Sequence, residues 1–146
     1  MESIRKRPKG DFIAEANMEQ LYALTKHWNS DLHFFKDDLN FLHKLLDSYF
    51  IWIDKDENYK VASKMKNELL KLRERCEDLL EKTDKHRQQI GKMILEKIKD
   101  SRVFRLEHEH LEDEIASFVK AFRLNRLELF KVTEYIKDTD RLPEAY

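Results

Sequence analysis

Between Asp11 and Leu142 the chain holds no proline and a single glycine, Gly91. Through that stretch apolar residues recur at alternating spacings of three and four. Such spacing places a set of side chains on one stripe of a helix. Three ladders are legible. The first is Leu21, Thr25, Trp28, Leu32, Phe35, Leu39, Leu42, Leu46 and Tyr49. The second is Met65, Leu69, Leu72, Cys76, Leu79, Thr83, His86, Ile90 and Met93. The third is His108, Leu111, Ile115, Phe118, Phe122, Asn125, Leu129, Val132 and Ile136.

Breaks between ladders set the topology. Asn17 with Gln20 three residues later is a capping-box pattern and opens helix 1, expected over 18–53. The polar cluster Asp54 to Asn58 marks a turn, with Asp54 and Glu57 placed to open helix 2 over 57–99. Continuing one helix beyond Met93 puts Lys97 and Asp100 in the seam and breaks the heptad rhythm. Asp100 and Ser101 are good N-caps, so a tight turn and a third helix over 102–138 follow. Short connections make sequential helices antiparallel. The expected fold is all-α, an up-down-up antiparallel three-helix bundle with coiled-coil-like packing. Residues 1–10 read as a basic arm, 11–142 as one helical domain and 143–146 as a frayed end, with Asp140 and Pro143 marking it.

The turns also predict which residues meet. Folding about residues 54–57 and about residue 100 gives layers such as Thr25/His86/Ile115, Trp28/Thr83/Phe118 and Phe35/Cys76/Asn125. Large side chains then oppose small ones, as a packed core requires. Four polar or thiol positions fall inside the seam: Thr25, His86, Cys76 and Asn125. His86 lies beside Thr25, with Glu112 one turn along helix 3. A polar residue in a seam fixes register at some cost in stability. Buried without a partner it costs about 1–3 kcal/mol, so His86 and Asn125 should each have one.

At 146 residues the chain is long enough for one core without disulfide or metal support. Its 39% charged content covers long helices, and its 41% hydrophobic content argues against disorder. A net charge of −1 gives no general attraction for nucleic acid or anionic lipid. The basic residues Arg5 to Lys9 lack an accompanying basic helix face, so a nucleic-acid partner is not expected. The apolar run from Tyr49 to Ile53 is too short to span a bilayer. One cysteine, Cys76, fits a reducing compartment, and the expected setting is cytoplasmic.

Chemistry-bearing constellations are sparse. Glu107 and His110 stand at the i, i+3 spacing used in carboxylate-bridged metal bundles, which need several such motifs and further glutamates. His27 and Asp31, four apart, form a second pair able to share an ion. His33 with Lys36 resembles the start of a histidine phosphotransfer motif. Asp37 stands where that motif has a small glycine, and its charge would repel a phosphoryl group. No glycine-rich phosphate loop or zinc-finger spacing occurs. No cofactor and no enzymatic activity are expected.

Helix 1 carries more apolar surface than a three-helix core uses. Phe34, Phe41, Leu45 and Trp52 form a second stripe beside the ladder, and Leu127, Phe130 and Tyr135 add to it on helix 3. Aromatic anchors are typical of interfaces. The expected function is non-enzymatic: an interaction or scaffolding bundle that binds a protein partner or forms a homodimer through this stripe. The alternative is a metal-binding bundle using the His/carboxylate pairs.

Overall fold

The computed structural model describes residues 16–97 and 102–140. It contains three helices, α1 Met18–Phe50, α2 Asp56–Glu96 and α3 Arg102–Asp140, packed against one another as a three-helix bundle. The longest, α2, spans about 60 Å at 1.5 Å per residue. The arm at 1–10, the caps Asp100 and Ser101 and the segment 143–146 lie outside the described residues.

α1 opens as expected. The Asn17 side chain accepts from the Gln20 backbone N–H at 2.8 Å, and the Gln20 side chain accepts from the Asn17 N–H at 2.9 Å. Its end differs from expectation. The helix stops at Phe50, three residues early, and the Trp52 N–H closes a turn on the Tyr49 carbonyl at 3.0 Å. The tight bend into α2 begins there, so Trp52 sits in the connection and not on the helix.

The start of α2 is also a correction. Neither Asp54 nor Glu57 caps it; the N-cap is Lys55, which makes no side-chain cap bond. The far end of α3 serves instead. The Lys55 N–H donates to Asp140 Oδ1 at 3.1 Å, and the buried Asn58 amide donates to Thr139 Oγ1 at 2.8 Å and to Asp140 Oδ2 at 2.5 Å. Asp140, the last described residue of α3, is therefore a structural tie and not part of a frayed end. At its other end α2 stops at Glu96 instead of residue 99 and is closed by Lys97 in the left-handed conformation, φ 53°.

The core follows the ladders. Every position of the first two is buried. The third drifts. An α-helix falls about 20° behind a strict seven-residue repeat at each heptad. Phe118, Asn125 and Val132 are one heptad apart, and only Phe118 is buried; Asn125 and Val132 rotate to the edge, while Thr133 turns inward. The expected burial of Asn125 is thus only half met.

Register is right for one helix pair and wrong for the other. Between α1 and α2, Asn29 bonds Thr83 at 3.1 Å, the Cys76 thiol reaches the Leu32 carbonyl at 3.3 Å and Lys66 pairs with Asp47 at 3.1 Å. Those contacts match the expected layers. α3 is displaced by about two turns. His86 meets His108 instead of Ile115, Trp28 packs on His108 instead of Phe118, and Phe35 packs on Phe118 and Phe122 instead of Asn125. A slide of seven residues returns a heptad stripe to the seam, so the ladder is almost blind to it. The observed stagger gives His86 a polar partner and gathers Phe35, Phe118 and Phe122 into one aromatic cluster.

Candidate interaction surface

Two regions gather the residues singled out by sequence. The first is the second stripe on α1. Phe34, Asp38, Phe41 and Leu45 follow spacings of four, three and four, which puts them on one flank of the helix. Asp38 identifies that flank as the one beside α3, because its carboxylate meets Arg126 Nε at 3.1 Å. The Arg126 guanidinium lies 5.0 Å from the centre of the Phe130 ring. Leu45 and Phe130 rest against the core. Phe34, Phe41 and Trp52 do not: they are 54%, 52% and 52% exposed. Leu127 and Tyr135 are exposed on α3. The stripe thus divides into one supported residue, Leu45, and three aromatics presented to solvent.

Phe34 is held from behind by the buried Phe35 ring, edge to face at 5.9 Å. On the opposite flank of α1, Phe50 is covered by Tyr59 at 5.4 Å and by the Lys66 ammonium at 5.4 Å. Aromatics facing α2 are therefore capped, whereas Phe34 and Phe41 are not.

The second region is the end of the bundle around His86. A groove of about 520 Å³ runs between α2 and α3, lined by Lys82, Lys85, His86, Leu106, Glu107, His110 and Glu114 among others. His86 forms its floor. The His86 Nε2 and His108 Nδ1 atoms are 2.7 Å apart, so one ring donates and the other accepts. His86 stacks on Phe104 at 4.8 Å, and His108 lies 4.7 Å from the Trp28 ring. Burial among these rings lowers the His86 pKa to about 4. This side chain is neutral at pH 7 and engaged in the seam.

The other buried groups are equally committed. Thr25 donates to the Leu21 carbonyl at 2.8 Å. Burial drives the Cys76 pKa up to about 12, with nearby Lys36 opposing and Glu77 reinforcing it, so the thiol stays protonated and inert. Asn125 donates to Glu68 at 3.4 Å and not to anything beside Cys76.

The metal candidates remain pairs. His27 Nε2 meets Asp31 at 3.3 Å. His110 turns to Glu114 at 3.0 Å and not to Glu107, and Glu114 also accepts from Lys82 at 3.1 Å. Among the described residues no group of three or more His, Cys, Asp or Glu side chains is placed to hold an ion. No described helix is long and apolar enough to cross a membrane.

The periodicity does not reveal the contact between His86 and His108, because a turn centred near residue 100 keeps the two rings apart. A fold centred a few residues earlier, where Lys97 carries the left-handed bend, brings the two imidazoles together. No protein-family model matches the chain, and neither curated proteins nor solved structures give a match.

Proposed function

We propose that this chain is a non-enzymatic interaction or scaffolding protein that self-associates through the aromatic stripe of α1. The observation that carries the reading is the exposure of Phe34, Phe41 and Trp52, each above half, beside a core that is already filled. Each exposed aromatic offers a large rigid surface that gains free energy when covered, at about 25 cal/mol per Å². A helix anchored along its whole inner face presents Phe34 and Phe41 with little ordering cost, and the turn that closes it presents Trp52. The mechanism is display: α2 and α3 cover the inner face of α1, and α1 with the turn that follows it offers the anchors to a partner.

The inert, buried Cys76 suits a reducing compartment such as the cytoplasm, where we place the protein. The metal-binding alternative rests on two-residue pairs, and metal analysis of protein purified without an affinity tag tests it. The self-association reading is tested by sedimentation of wild type against Phe41→Glu and Trp52→Glu. Both variants should retain wild-type helix content and sediment as monomers at concentrations where the wild type is dimeric. A monomeric wild type at every concentration rejects the reading.

A further inference from the structure

Asp37 and Lys44 lie on the same exposed face as Phe41, four residues before it and three after. Neither makes an ion pair or hydrogen bond among the described residues, although the chain pairs many of its other surface charges. Seven residues separate them, about 10 Å along the axis, so they are too far apart to satisfy each other. Phe34, Phe41 and Ser48 run down the middle of this face at heptad intervals. Asp37 and Lys44 both flank that line on the side away from α3, the opposite flank being marked by Asp38 and its partner Arg126.

We propose that the partner is a second copy of this chain, bound with its α1 antiparallel about a two-fold axis at Phe41, so that each Asp37 pairs with Lys44 of the second copy. The proposal rests on the self-association reading and adds its geometry. A two-fold axis perpendicular to a helix turns the second copy over, which brings like flanks together running in opposite directions. Position 37 then lies opposite positions 44–45, and two identical ion pairs bracket a central Phe41 contact. Phe34 falls opposite Ser48 and next to Leu45 of the second copy. A parallel arrangement sets the charged flank against the opposite flank, where Leu45 and Asp38 stand, and the two charges never meet.

Charge reversal tests the arrangement. Asp37→Lys and Lys44→Asp each place two like-charge pairs in their own homodimer, and each should weaken it about tenfold, on the scale of exposed ion pairs. Mixed together, the two variants restore both opposite-charge pairs, so the mixture should form a heterodimer close to wild-type affinity. The double variant Asp37→Lys/Lys44→Asp should recover as a homodimer. Sedimentation at low ionic strength reads all four, with Phe41→Glu alongside. A wild-type dimer that Phe41→Glu breaks, but that shows no rescue in the mixture or the double variant, overturns the antiparallel arrangement and leaves self-association standing. A wild-type dimer that survives Phe41→Glu, or a wild-type monomer, overturns both.

Discussion

An imidazole in a dry seam is stable only when its protons are accounted for. His86 and His108 share one hydrogen across 2.7 Å, which two neutral rings manage and two charged rings do not. Around them stand Trp28 from α1, Lys82 and Lys85 from α2, and Phe104, Glu107, His110 and Glu114 from α3. The His86 pKa falls to about 4 in the folded chain, against about 6.5 unfolded. Between those values the unfolded state binds more protons, so stability is fully present above about pH 6.5 and declines as pH drops toward 4. The loss attributable to His86 is on the order of 3 kcal/mol across that window. Urea denaturation at pH 7 and pH 5 should show it, and the difference should shrink in His86→Gln, which keeps a hydrogen-bonding side chain but cannot charge. Gly91 is a second residue-scale lever. A Cβ there would meet only Tyr22 Cε2, at an ordinary 3.5 Å. Gly91→Ala should therefore raise stability by about 0.5–1 kcal/mol, read as a higher denaturation midpoint at unchanged slope.

Helix ends show how these elements are held. α1 carries its own cap in Asn17 and Gln20, and that cap was visible in sequence because both partners lie within four residues. α2 borrows its cap from α3: Asn58, Thr139 and Asp140 are distant in the chain and close in space. The Asn58 amide, more than the Lys55 backbone N–H, holds the Asp140 carboxyl below its ordinary pKa. Asn58→Ala removes a buried donor to a charged acceptor and should cost about 2 kcal/mol. Amide exchange should localise the loss to the first turn of α2 and the last turn of α3. The other end of α2 stores strain. Lys97 is the one positive-φ residue other than glycine among those described, at 53°. A left-handed residue with a side chain costs about 1 kcal/mol that glycine does not. Lys97→Gly should recover most of it, measured by the same denaturation assay.

For the whole molecule, the decisive quantity is the stagger of α3. Sliding α3 by one heptad, about 10 Å, keeps apolar residues in the seam, so burial alone discriminates weakly between the two registers. The His86–His108 contact is specific to one of them. Replacing both by leucine should leave a stable bundle, no longer sensitive to pH at this site, whose register is less strictly held. Spin labels at Arg75 and Ser117, which face each other at 2.9 Å in the native stagger, should then report a second distance population. Three helices, their approximate bounds, the buried stripes and the surplus aromatics of α1 were legible in the sequence. Periodicity is a local property: residues three and four apart share a face whatever the tertiary structure does. The α1/α2 register was also legible, because the Asp54 to Asn58 cluster pinned the turn. The α3 register, the rotation of Asn125 out of the core, the cap supplied by Asp140 and the split of the stripe into a covered Leu45 and exposed Phe34, Phe41 and Trp52 were decided only in three dimensions. Each depends on which atoms meet across helices, and a repeat that maps onto itself every seven residues cannot choose among the meetings it permits.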